Sequence, residues 1–266
     1  MKRSVTLIAV LLLLVAVLCC GCFDQTDAPA APLTAKQVLE QATQKMADNY
    51  EMNAVVNMKI QMAGITMEIP ITMNIKMAKK DGAPVSLIDL KMSMLEQQVD
   101  SLVYTEGDTA YIVATVAEET VKYKMPAESA PAIDFDFSDF IDKDGNLNVP
   151  EETLKMTENE DGSKTLSFPM PTDLMNSLME SMSSTSGLGQ TADVTFKPAD
   201  ATMSINKDGY FTKCSLKIEA TMSDPSVGEV SYVMDFDFEY VNPGKAVTVT
   251  PPEGYKDFME MPTSEL

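Results

Sequence analysis

The chain has 266 residues, 40 of them acidic against 20 basic, and it contains neither histidine nor tryptophan. A formal charge of −20 sets it against phosphate backbones and anionic lipid headgroups alike. That excludes nucleic acid as a partner, and any membrane contact has to come from something other than surface charge. Without histidine there is no Ser-His, Cys-His or His-metal arrangement, so the chain reads as a non-enzyme with no metal and no cofactor.

Lys2 and Arg3 are followed by an apolar run from Val5 to Leu18 that only Thr6 interrupts. Its length suits the h-region of a signal peptide and is short for a membrane span. The next residues, Leu18-Cys19-Cys20-Gly21-Cys22, resemble a lipobox, the processing site of envelope lipoproteins, where a small residue precedes the cysteine that becomes lipidated. Gly21 makes Cys22 the favoured lipid attachment site, with Cys20 second. Residues 1–21 are then a signal peptide of the lipoprotein type; the alternative is an uncleaved anchor. Either reading expects an extracytoplasmic domain tethered to the membrane at its N-terminus, with its protein partners unknown. Cleavage would remove two basic residues and no acid. Of the four cysteines only Cys214 lies beyond this cluster. Lipidation of Cys22 therefore leaves no intramolecular disulfide, and stability must come from a core.

Phe23 to Pro32 is polar, rich in Ala and Pro and without periodicity, so residues 22–33 are expected to be a lipid-anchored linker. Thr34 with Gln37 three residues on forms a capping box, and Val38, Leu39, Ala42 and Met46 then give one apolar stripe to about Asn49. A long hairpin follows. Met52, Ala54, Val56, Met58, Ile60 and Met62 alternate with polar residues, Val55 alone breaking the pattern. Beyond Ala63-Gly64, Ile65, Met67, Ile69, Ile71, Met73, Ile75 and Met77 alternate in turn. Side chains of period two make each arm a ribbon with one apolar face, and Gly64 can take the positive φ of a tight turn. Arms this long exceed the usual strand of roughly 3–10 residues, so they should twist and curl.

Lys79 to Pro84 is expected to turn. Strands follow at Ile88–Met94, Val99–Tyr104, Thr109–Thr115 and Val121–Met125, with Glu106-Gly107-Asp108 a hairpin signal. Pro126 to Asp144 is acidic and irregular. Leu154 to Met170 forms a hairpin around Asp161-Gly162, and Thr172 can cap a second helix from Asp173 to about Ser183. Met203 to Met222 is a hairpin around Lys207-Asp208-Gly209 that places Cys214 on an apolar face, as a core residue. Val230 to Tyr240 is the last long ribbon, followed by Val247 and Val249. Pro251-Pro252 ends the sheet, and the segment from Glu253 onward should add little.

Nine to twelve antiparallel strands joined by short turns, with two helices, predict a mainly β (α+β) fold. A single strongly curved antiparallel sheet closes partway, and the helices cover its open, concave side. One domain spans 34–260, with a tail at 261–266. The lipobox, the capped helix within Leu33-Thr34-Ala35-Lys36-Gln37-Val38-Leu39, the long alternating strands and the closing Val247-Thr248-Val249-Thr250-Pro251-Pro252 resemble the layout of the LolA/LppX-type envelope lipoproteins. No signature motif carries that resemblance. Those proteins are half-open β-barrels covered by helices, and better-known members carry lipids or lipidated proteins in an apolar cavity. The resemblance thus implies the half-barrel, and with it a hydrophobic ligand such as an acyl or isoprenoid chain.

The methionines point the same way. There are 21, many on the apolar faces, and methionine is a flexible, polarizable side chain suited to surfaces that repack around variable apolar partners. The candidate cavity is lined by Met58, Ile60 and Met62 on one arm and Met67, Ile69, Ile71, Met73 and Ile75 on the other. The competing reading is that these side chains fill a core, leaving a structural or interaction lipoprotein without ligand. A calcium loop at Asp142-Lys143-Asp144-Gly145-Asn146 is weakened by Phe140 at its first ligand position. Although Glu151 falls at its last, an ordinary Asp-Gly turn accounts better for it. Asp235, Asp237 and Glu239 repel one another and should line a wet outer face.

Overall fold

A ribbon with one apolar face has to bury it, and that requirement organises the computed structural model, which describes residues 32–46, 49–94, 97–130, 149–172, 175–176, 194–224 and 228–261. Residues 34–266 cluster as one compact unit. It opens with a helix, Ala35–Met46 (α1), capped as the sequence predicts. The Thr34 N–H donates to Gln37 Oε1 at 3.0 Å and the Gln37 N–H to Thr34 Oγ1 at 3.3 Å. Each bond satisfies a backbone donor that the first turn leaves unpaired. Val38, Leu39, Ala42 and Met46 are its buried stripe.

The strands are β1 (Tyr50–Met62), β2 (Ile65–Lys80), β3 (Ala83–Met94), β4 (Gln97–Glu106), β5 (Thr109–Val116), β6 (Glu119–Pro126), β7 (Lys155–Glu158), β8 (Lys164–Pro169), β9 (Val194–Phe196), β10 (Asp200–Ile205), β11 (Phe211–Asp224), β12 (Gly228–Tyr240) and β13 (Met259–Glu260). They form one sheet in the order β13-β6-β5-β4-β3-β2-β1-β12-β11-β10-β8-β7, with β9 paired to β11. The first six strands make a simple meander. The long return of β12 onto β1, from Met52↔Tyr240 to Met62↔Val230, joins the two halves of the chain. The terminal strands β13 and β7 do not pair, so the sheet is curved and open and is not closed into a barrel.

Ala63 and Gly64 turn the first hairpin at φ of 50° and 81°, the pair of positive values that matches the twist of long strands. Pro70 sits inside β2, where a proline cannot donate to a ladder. Accordingly β3 pairs with β2 only from Ile71 onward, and among the described residues the part of β2 before it pairs with β1 alone.

Several expectations need correction. The turn expected over Lys79–Pro84 is confined to Asp81-Gly82, because Lys79 pairs with Pro84 and Lys80 with Ala83. Val247 and Val249 lie outside any strand; the Val247 N–H donates instead to Asn49 Oδ1 at 3.0 Å. The sheet of the described residues has 13 strands, above the nine to twelve expected, and one pair, β13 on β6, is parallel. The C-terminal segment does add something. Tyr255 packs edge-on against Tyr104 and Tyr111, Phe258 is buried beside Tyr111, and β13 covers part of the β6 edge. Helix Asp173–Ser183 lies outside the described residues except for Met175 and Asn176, where the Met175 N–H donates to Pro171 O. The expected signal peptide, Cys22, the expected linker and the Asp142–Glu151 loop also lie outside them, apart from Pro32, Leu33 and 149–151, where Glu151 is exposed.

Residues directly opposite in a ladder share a face, so the registers define an inner and an outer side. On the inner side of β1, β2 and β10–β12, a region called here the hub, lies a core that also takes in the α1 stripe and includes Met52, Val56, Met234, Phe236, Cys214 and Ile218. Across β3–β6, the wing, a smaller cluster of Ala110, Ile112 and Met125 is buried with Tyr123, Ala130 and Met261 against it.

Candidate functional site

All eight predicted cavity residues fall on the inner face, where period-two alternation and the β1–β2 register place them together. Met58 and Ile60 on β1 and Ile69, Met73 and Ile75 on β2 are buried within the hub core. Met62, Met67 and Ile71 are half-buried and pack against it. The polar partners face out: Asn57 is exposed and Asn74 half-buried.

The inner face is graded. From Val56, one row runs across the wing through Ile71, Met92 and Val99 to Val116. Exposure rises along it, from buried at Val56 through half-buried to 43% at Val116. The next row, Ala54, Met73, Leu90, Ser101, Ala114 and Val121, ends at 55% exposure. Ile65, opposite Met62 beside the hairpin turn, is 65% exposed, and Met259, paired with Tyr123 at the sheet edge, 75%. Four of the six exposed large apolar residues among the described ones therefore share one face of one sheet, where scattered surface apolar residues would need no explanation.

Chemically this face offers contact and little else. Among the described residues no polar or charged residue is buried, and no group of three acidic or cysteine side chains converges as a metal site. Burial pushes the Cys214 thiol up to about 12, with the Asp237 charge adding to it, so it remains a thiol at neutral pH and is a poor nucleophile. Apolar chains are what such a surface can hold.

Two groups escaped the sequence reading. The hub inner face draws as much from β11 and β12 (Ile218, Tyr232, Met234 and Phe236) as from the first hairpin. Their alternation was legible, but their pairing with β1 over such a sequence distance was not. The second is a clasp on the outer face of the wing. Tyr104, only 1% exposed, contacts the rings of Tyr111 and Tyr255, while the Tyr255 hydroxyl donates to Glu106 Oε2 at 2.9 Å and Lys80 Nζ to Glu106 Oε1 at 2.6 Å. The Lys80 bond first and the Tyr255 bond second hold the Glu106 carboxyl below the usual range. On β12 the acidic row is answered by lysines: Asp235 lies opposite Lys217 and Glu239 opposite Lys213, which reaches Asp237 at 3.5 Å.

No known family matches the chain by sequence, and no curated protein does either. Among solved structures it is similar to a DUF1329 family protein from Desulfovibrio piger at 12% identity, covering 80% of this chain and 93% of that one, with a TM-score of 0.29. It is also similar to an outer membrane lipoprotein-sorting protein domain from Vibrio parahaemolyticus, at 12% identity over 80% of this chain and 95% of that one, with a TM-score of 0.24. At scores this low the backbones do not superpose as wholes, and the likeness fixes neither fold nor ligand.

Proposed function

We propose that the protein is a lipid-anchored, extracytoplasmic binder of an apolar ligand, an acyl or isoprenoid chain, held on the inner face of the open sheet. The observation that carries this reading is the gradient of exposure across that face. A mainly apolar surface passes from the buried hub through the half-buried wing residues Ile71, Met92 and Val99 to the exposed Val116, and in the next row through Leu90, Ser101 and Ala114 to the exposed Val121. A filled core has no need to leave its apolar face open at one end, whereas a ligand that must enter and leave does. The ligand lies along the wing and enters at the rim, and the hub serves as the rigid wall behind it. The protein acts by binding and not by catalysis, and its membrane contact is the lipid on Cys22. Both follow from the lipobox and the lack of histidine.

A second reading has its own observation. Five of the eight cavity residues are already buried, with the α1 stripe in the same core, as in a lipoprotein whose core is simply full. The two separate in one experiment. Residues 34–266, purified without detergent, are extracted with organic solvent and the extract is read by mass spectrometry. Stoichiometric apolar lipid is the expected result. Lipid-free protein at full yield, unable to take up a fluorescent fatty acid, would overturn the binder in favour of the filled core.

A further inference from the structure

On the outer face, facing away from both cores, strands β1, β2 and β3 hold six side chains in a grid. Asn53, Asn74 and Asp89 stand directly across from one another, and Val55, Thr72 and Lys91 form the next row, two residues along each strand. Between the rows is a groove of about 260 Å³. Ala54 and Met73 also border it, and since their side chains point inward, their backbone forms the floor.

The groups around this groove are partly fixed and partly unspent. Asn74 Nδ2 donates to Asn53 Oδ1 at 2.8 Å and to Glu51 Oε1 at 3.1 Å, and Lys76 lies 3.4 Å from the same Glu51 oxygen. Those bonds orient both carboxamides and leave Asn53 Nδ2 and Asn74 Oδ1 uncommitted. Asp89 and Lys91 line the same groove on one strand, yet neither side chain pairs with the other or with any other described residue. The Thr72 hydroxyl is likewise free. Val55, 40% exposed, is the one apolar side chain standing in these rows.

The chemistry narrows the occupant. Within the groove one carboxylate and one ammonium balance, but its rows continue onto Glu239 and Asp237 on β12 and Asp100 on β4, in a chain of formal charge −20, so an anion gains nothing by entering and meets repulsion around it. An apolar chain would cover the amides and leave them without partners. Each hydroxyl of a polyol is both donor and acceptor, which suits a site offering donors at Asn53 and Lys91 and acceptors at Asn74 and Asp89. The Val55 methyl groups can meet the C–H face of a ring. The volume is below the roughly 300–1,000 Å³ of sites for drug-sized ligands, which suits a single ring. We propose that this outer groove binds one neutral pyranose sugar, independently of whatever occupies the inner face.

The test uses the full chain, isotope-labelled and held in a polyoxyethylene detergent, since alkyl glycosides would compete. Methyl β-glucopyranoside and N-acetylglucosamine are titrated against the side-chain amide signals of Asn53 and Asn74, with glycine betaine as a zwitterionic probe. A sugar should shift both signals saturably. Asn53→Ala should weaken binding about fivefold, the loss of one net neutral hydrogen bond, and Asp89→Ala about tenfold or more, since its acceptor is charged. These are surface positions, and an unchanged melting curve confirms that the variants fold. Absence of a saturable shift with either sugar overturns the proposal, as does an affinity that both variants leave intact. A shift with betaine alone overturns it too, because the free Asp89 and Lys91 would then be reading opposite charges.

Discussion

The hub and the wing are written in the same alternating code and end in different states. On β1, Met52, Ala54, Val56, Met58 and Ile60 are all buried. On β5 the same alternation gives buried Ala110 and Ile112, half-buried Ala114 and exposed Val116. The difference is in what lies on them: α1 contributes four side chains to the hub core and none to the wing cluster. Period two decides which way a side chain points; depth depends on whether another element arrives to cover it. The outer faces reverse the contrast. In the hub it is charged and wet, with Lys213, Lys217 and Lys197 among Asp237 and Glu219, whereas the wing uses its outer face to dock the C-terminal aromatics. A wing with its inner face partly open and its outer face clasped is the more adaptable half, and that is where a ligand can be admitted without dismantling the core.

The largest effect that could break this comparison is in the hub. Met58→Asp places a carboxylate with no partner among Met234, Ile69 and the rest of the core. Burying an unpaired charge costs several kcal/mol or more, a large part of the roughly 5–15 kcal/mol that holds a domain together. The expected outcome is loss of the cooperative thermal melt. Asn57→Asp, one residue away on the wet face, should melt nearly as the parent does. If the two variants melt alike, the register is wrong and the hub with it.

That register is legible in the sequence, because Gly64 fixes the turn and alternation over so long a ribbon admits one phase. So are the capping box at Thr34 and Gln37, the inward face of Cys214 and the hairpins at Asp161-Gly162 and Lys207-Asp208-Gly209. What could not be read was long-range. Nothing in Val230–Tyr240 says that it pairs with β1. Nothing in Tyr255 or Phe258, which lack periodic neighbours, says that they close over Tyr104. Pro70 is the one local sign of such a limit, since a proline in an apparent central strand marks where a neighbour has to stop. For the candidate site the same division holds: the sequence names the eight side chains on the face, but which of them stay open depends on coverage.

A smaller effect tests the clasp of the wing. Because bonds from Lys80 and Tyr255 hold the Glu106 carboxyl below its usual range, its contribution is fully present above the unfolded value, about 4.3 for glutamate. It is lost as pH falls through the lower folded value. The carboxyl is half-buried and still reached by solvent, which screens it, so the contribution is modest. Acidification should weaken the near-ultraviolet dichroism of the clasp tyrosines, which tryptophan does not mask in this chain. Glu106→Gln should start with a weaker signal and show a flatter pH profile. A variant that follows the parental profile would mean that the aromatic packing holds the segment without Glu106.

The smallest effect on stability is expected at the rim, and there it is most informative. Val121 is on the same face as Ala54 and Met73, two strands of the hub, but at 55% exposure its side chain is already in water. Val121→Asp should therefore move stability by no more than about 0.5 kcal/mol, the usual range for a surface change, even though it makes the same chemical change as Met58→Asp. Its effect on an apolar ligand should be larger than its effect on the fold, because a carboxylate at the entrance faces any chain crossing the rim and has to be desolvated as the chain passes. Thermal melts and fluorescent fatty-acid uptake on this one variant give two numbers. A parental melt with reduced uptake is what an open wing requires. A melt lowered as far as that of Met58→Asp would mean that the rim is covered as deeply as the hub, and the wing would then be core. Parental behaviour in both assays would leave the fold as described and move the entrance away from β6, toward Ile65 and Met67 at the tip of the first hairpin.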